Sequence, residues 1–187
     1  MKLLLSVLFL FLNFTCCAQN HYVYKGSQRY RATSPWDFKV ENFSEGLTVQ
    51  IAKTDKGGLC MLSAHTGFRG TIITGTLVVY LEDGSVIKCL DRKVKDMTNG
   101  NSRAIYYLTS NEMQLLTNSR INQLRFAIGS VNGFSTLDGA YMAKNDSSDE
   151  SLISVPSGGF VNGVWQEGIT QNDSTTHTEE EVAALVE

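Results

Sequence analysis

Residues Thr74–Leu90 read TGTLVVYLEDGSVIKCL, and this stretch decides the fold class. Thr74 to Leu81 is rich in β-branched and aromatic residues, and apolar residues return from Val86 to Leu90, the composition of two strands. Between them, Glu82-Asp83-Gly84-Ser85 carries the Asp-Gly pair of a tight hairpin turn, because glycine accepts the positive φ that such turns demand. A two-stranded hairpin is barely stable alone in water, so this one calls for further strands. Upstream, Trp36, Phe38 and Val40 alternate with Asp37, Lys39 and Glu41, and Leu47, Val49 and Ile51 repeat that period of two. The Lys56-Gly57-Gly58 turn leads from there into Leu59–Ala64, which predicts a second hairpin. Downstream, Asp91 to Arg103 is polar, with Asn99-Gly100 inside it, and reads as a long loop or bulged connection. Ile105–Leu108 reads as a short strand. Thr109-Ser110-Asn111-Glu112 has the spacing of a capping box, so a two-turn helix is expected over about 110–117, docked on the sheet because it is too short to stand alone. Ile121, Leu124, Phe126 and Ile128 then form the last expected core strand.

The pattern predicts an α+β, mostly β domain over residues 20–128, an antiparallel, sandwich-like sheet of six or seven strands with one short core helix. The chain of 187 residues suits one such domain with appendages at both ends. Residues 1–19 are expected to be a secretory signal peptide: Lys2, an apolar stretch from Leu3 to Leu12, then Asn13, Thr15, Cys16, Cys17 and Ala18. That stretch is shorter than the roughly 20 residues a membrane-spanning helix needs. Cys16 or Cys17 is the place where a lipid would attach if the chain were a lipoprotein, although neither follows the Leu and small residue which that processing prefers. Membrane association is expected only through such a lipid.

Residues 129–187 turn rich in Gly, Ser and Asn, keep apolar islands at Leu152–Val155 and Phe160–Trp165, and end in a short helix after Thr178-Glu179-Glu180-Glu181. This region is expected to be a flexible acidic extension, with Gln171 to Thr178 as linker. The formal charge of −3 hides its polarity. Residues 20–145 hold 15 basic and 10 acidic side chains, a net of +5, whereas residues 146–187 hold 9 acidic and no basic ones, a net of −9. A basic body and an acidic tail attract over a screened range of roughly 10 Å, and the Arg92-Lys93-Lys95 loop is one place for the tail to lie.

Three segments in order, LVVYLEDGSVIKCL, YYLTSNEMQLL and INQLRFAI, together with an N-terminus ending in Ala18-Gln19, resemble uncharacterised secreted proteins of the Bacteroidota. The resemblance covers under a third of the chain. It implies export to the periplasm, cell surface or medium, and brings no activity and no catalytic residues.

Chemistry-bearing residues are sparse. His65, at the end of the Leu59–Ala64 run, is the histidine best placed to act as a general base, but no G-x-S-x-G accompanies it. The adjacent Glu82 and Asp83 cannot straddle a glycosidic bond, whose carboxylates stand roughly 5–10 Å apart. The chain lacks H-x-x-x-H and phosphate-loop spacings, and Asp146–Glu150 lacks the glycine and spacing of an EF-hand. No cofactor and no metal site is therefore expected. Cys60 and Cys89 either pair, if their strands are neighbours, or remain buried thiols. Asp173-Ser174-Thr175 resembles the acidic-hydroxyl tripeptide that Bacteroidota O-glycosylate. Tyr22, Tyr24, Tyr30 and Trp36 interleave with Lys25, Arg29 and Arg31, which suits stacking on sugars and contact with anions. The leading expectation is an exported, non-catalytic interaction or structural module of the cell envelope. Its partner would be a carbohydrate or another envelope protein rather than nucleic acid. The alternative is an envelope hydrolase using His65.

Overall fold

The computed structural model describes residues 21–41, 46–67, 70–131, 137–145, 159–161, 164–166 and 177–186. The expected signal peptide, Cys16 and Cys17, Asp146–Glu150, the 152–155 island and Asp173-Ser174-Thr175 lie outside them, as does the expected linker up to residue 176. In chain order the elements are β1 (His21–Lys25), β2 (Gln28–Ala32), β3 (Trp36–Val40), β4 (Leu47–Thr54), β5 (Gly57–His65), β6 (Thr71–Leu81) and β7 (Val86–Cys89). There follow β8 (Lys95–Thr98), β9 (Asn101–Leu108), α1 (Ser110–Asn118), β10 (Ile121–Ser130), β11 (Gly139–Lys144), β12 (Gly159–Val161), β13 (Val164–Gln166) and α2 (Thr178–Val186). All pairings among them are antiparallel, and the chain is α+β and mostly β, as the alternation predicted.

The main ladder runs β7-β6-β10-β11-β3-β4-β5-β9-β8, while β12 and β13 pair only with each other. The ladder curls over one core. Phe38, Ile51, Leu62, Leu77, Tyr106, Leu124 and Phe126 pack there with Met113 and Leu116 of α1. Thr109 caps α1 as its spacing predicted: its hydroxyl accepts from the Glu112 N–H, and the Glu112 carboxylate accepts from the Thr109 N–H. At the hairpin tip between β4 and β5, Gly57 takes φ +135, and a Cβ there would overlap the Leu108 carbonyl oxygen. Only glycine lets the tip come so close to the start of α1.

Where the curl brings β6 against β8 and β9, side chains replace the ladder. The Ile73 N–H donates to Ser102 Oγ at 2.8 Å, and the Tyr106 hydroxyl donates to Gly75 O at 3.1 Å. Asp91 accepts from the Gly75 N–H at 3.0 Å and from Lys95 Nζ at 2.7 Å, and Lys95 also reaches Thr74 Oγ1 at 2.7 Å.

The structure departs from the sequence expectations in four places. Asp91–Arg103 is not a long loop: Asn99 and Gly100, at φ 53 and 79, make the hairpin turn between β8 and β9. The Tyr22–Ala32 segment, for which the sequence pattern predicts no hairpin, is a hairpin of two strands, β1 and β2. The strands are more numerous than the six or seven expected, because the β1–β2 hairpin, β8, β11 and the β12–β13 pair join them. The fold also runs on past residue 128. β11 pairs with β10 over Leu124↔Ala143 and its neighbours and with β3 at Ala143↔Val40, so it closes the gap between the two halves of the ladder.

α2 belongs to the same body. Val182 and Leu185 are buried in the main core, where they add to its apolar burial. Thr178 Oγ1 accepts from the Ile121 N–H at 2.9 Å, and Glu181 accepts from the Ser34 N–H at 2.9 Å. Thr178 and Glu181, three residues apart at the start of α2, therefore both hold tertiary bonds. The acidic turn lies by Arg120, with Glu179 at 3.5 Å, while Lys95 of the basic loop pairs with Asp91.

Candidate functional site

The β1–β2 hairpin lies over the outer face of β4, β5 and β9. Val23, Ala32, Ala52, Leu59 and Ile105 form a second small core beneath it, with Tyr30, Met61, Val94 and Tyr107 at its margin. Alternation along β1 sends Val23 inward and leaves Tyr22 and Tyr24 outward, 39% and 63% exposed. Arg29 lies over the Tyr22 ring, 5.0 Å from its centroid. Beside the hairpin is a cleft of about 530 Å³, within the range of ligand sites. The unbroken run Tyr22–Gly26 lines it, as does Val94–Asp96. Met61, Arg103 and Ile105 line it from β5 and β9.

Cations gather at this cleft. Lys25 Nζ lies 4.7 Å from the centroid of the Tyr107 ring, and the Arg92 guanidinium lies 5.4 Å from the same centroid. Hydrogen bonding to the Tyr107 side chain raises the Lys25 pKa. Lys95 and Arg103 add charge from β8 and β9, against Asp91 and Asp96. Asp91 is held below the usual carboxylate range. Burial alone pushes it up, but hydrogen bonds from Lys95 and from the Lys93 and Gly75 N–H groups outweigh that.

The residues singled out from sequence divide. Tyr22, Tyr24, Arg29 and Arg31 share the outer face of the hairpin, as the register Tyr22↔Arg31 and Tyr24↔Arg29 requires. Tyr30 turns the other way, against the second core, with its hydroxyl donating to Gln28 Oε1 at 2.6 Å. Trp36 is 2% exposed in the main core, so it is not part of any binding face. Its place in the Trp36-Phe38-Val40 alternation was the signal for that. Gln50, Met61, Arg103 and Ile105 complete the cleft, and no local motif marks them.

His65 stands at the exposed end of β5, its Nδ1 3.2 Å from Asn101 Oδ1. It lines neither the cleft nor the smaller hollow between the β4–β5 tip and α1. Cys60 and Cys89 are free, buried thiols on β5 and β7, strands that do not pair with each other although both face the main core. Burial, with the Glu112 charge, pushes Cys89 up to about 12, and burial raises Cys60 as well, which makes both poor nucleophiles. Among the described residues, His177, Glu179 and Glu180 bring possible ligand atoms within 4.8 Å of one another. Arg120 already occupies that place, 3.0 Å from His177 Nδ1 and 3.5 Å from Glu179. A resident cation of this kind opposes a metal ion.

No protein-family model, no curated protein and no solved structure matches the chain.

Proposed function

We propose that this protein is an exported, non-catalytic binding module of the bacterial cell envelope, and that it takes its partner in the cleft beside the β1–β2 hairpin. The observation that carries the proposal is the cleft itself. Exposed Tyr22 and Tyr24, with Lys25, Lys95 and Arg103, surround an apolar floor at Met61 and Ile105. Aromatic rings offer large contact area at low entropic cost, and the cations orient a partner of opposite charge. The export half of the proposal rests on the Lys2–Gln19 layout and its resemblance to secreted Bacteroidota proteins. Among the described residues no helix is long and apolar enough to cross a membrane.

The hydrolase alternative has less support. His65 bonds the Asn101 side chain and lines neither the cleft nor the smaller hollow between the β4–β5 tip and α1. The test uses the mature chain and an envelope fraction of a bacterial host that exports it. Binding to that fraction is expected to fall at least tenfold in Tyr22→Ala/Tyr24→Ala, with Tm unchanged because both rings are exposed. Equal binding by the variant would sink the cleft as the site.

A further inference from the structure

The wall formed by Tyr22, Val23, Tyr24, Lys25 and Gly26 has a particular meaning. A strand that shows a face to a cleft lines it with alternate residues, whereas one that shows its edge lines it with consecutive ones. The cleft is therefore bounded by the backbone edge of β1, and among the described pairings β1 has a partner on its other side only, β2.

The register says which groups that edge presents. Lys25↔Gln28 flank the two-residue turn Gly26-Ser27 and form its hydrogen-bonded pair, so Val23↔Tyr30 and His21↔Ala32 are hydrogen-bonded pairs too. The same parity is visible across the two-residue turn at Asn99-Gly100, where the Ile105 N–H donates to Val94 O at 2.9 Å. Tyr22 and Tyr24 are then the non-hydrogen-bonded positions, with N–H and C=O directed off the free edge into the cleft. Proteins blunt such edges with proline, bulges or charge. The β1 register is continuous and proline-free, with Lys25 as its only Lys, Arg, Asp or Glu.

Floor and rim narrow the occupant. A strand laid beside β1 would turn alternate side chains down with Val23 onto Met61 and Ile105, and the others up among Tyr22, Tyr24 and Arg29. Lys25, Lys95 and Arg103 line the cleft against the single carboxylate Asp96, with Asp91 paired to Lys95. We infer that the cleft is a strand-addition site, in which an extended, acidic segment of a partner protein, apolar at every second residue, pairs with the free edge of β1. This rests on the binding-module reading above and gives that site its ligand class.

The test uses the mature chain with ¹⁵N labelling and the capped octapeptide of alternating Glu and Val as probe. The Tyr22 and Tyr24 amides are expected to gain at least tenfold protection from hydrogen exchange, while Val23, already paired to β2, changes little. N-methylation of the peptide at residues of one parity is expected to weaken binding at least tenfold, and of the other parity to leave it nearly intact. A Lys-Val octapeptide is expected to bind at least tenfold more weakly. Absence of protection at Tyr22 and Tyr24, or equal loss from both N-methyl parities, would overturn strand addition. Oligogalacturonate serves as the second probe. If it shifts the Tyr22 and Tyr24 rings while the peptide protects no amide, strand addition fails and a glycan-binding module remains. If neither probe touches the cleft, strand addition fails, and the envelope assay with Tyr22→Ala/Tyr24→Ala decides the module separately.

Discussion

Asp91 shows how a single side chain holds two parts of a sheet that share no ladder. It takes bonds from Lys95 and from the Thr74 hydroxyl and the Gly75 and Lys93 N–H groups, at 20% exposure. Its folded pKa lies below the unfolded value of about 3.9. The stability it contributes is thus present above that value and is lost as pH falls through the folded pKa. Asp91→Asn is expected to cost about 2 kcal/mol at neutral pH. It should also flatten the fall of stability with acidification below about pH 4, read as urea midpoints across the pH range. At this scale the sequence was only partly legible. Tyr22 and Tyr24 stood out as candidate contacts because they interleave with Lys25, Arg29 and Arg31, whereas the hairpin that turns them outward was not legible. Trp36 was misread, since its aromatic neighbours drew it toward them although its own period of two put it in the core. Arg103 and Gln50 reach the cleft through pairings across many residues, and nothing local announces that.

Elements were legible where their signals were redundant. The β6–β7 hairpin has both strand composition and an Asp-Gly turn, and α1 has both a capping box and an apolar face. β8 and its turn were missed because Lys95-Asp96-Met97-Thr98 holds one apolar residue, so Asn99-Gly100 had no hydrophobic flank to give it meaning. β11, GAYMAK, has no β-branched residue, and its place comes from edges on β10 and β3 that need covering. α2 was found as a helix, but its docking was not. Val182 and Leu185 are too few to announce a core face, and the surrounding acidity reads as solvated. Leu185 is nevertheless 4% exposed. Leu185→Ala is therefore expected to destabilise the whole domain by about 3 kcal/mol. Chemical denaturation should show this with fluorescence and circular dichroism transitions that still coincide. Loss of helix signal alone, ahead of the rest, would show that α2 is not integral to the fold.

On the scale of the molecule, the boundary expected at residue 128 cuts through the core. A chain ending there keeps β1 to β9 and all but the last two residues of β10, and loses everything from β11 to α2. It leaves long edges on β3 and β10 and uncovers the side of the core that Val182 fills. Residues 20–128 are expected to show no cooperative thermal unfolding, to bind a hydrophobic dye and to aggregate, whereas residues 20–187 melt in one transition. A sharp transition in the shorter chain would refute this. The position of β11 also sets an order in time. β3 is made early, but its neighbour on that side arrives about a hundred residues later, and α2 later still. During synthesis the growing chain can form its hairpins one by one, since each joins residues only a few apart. It cannot lock them together until its final stretch has emerged. Such a chain stays unfinished, and open to whatever handles it, for nearly the whole time it is being made.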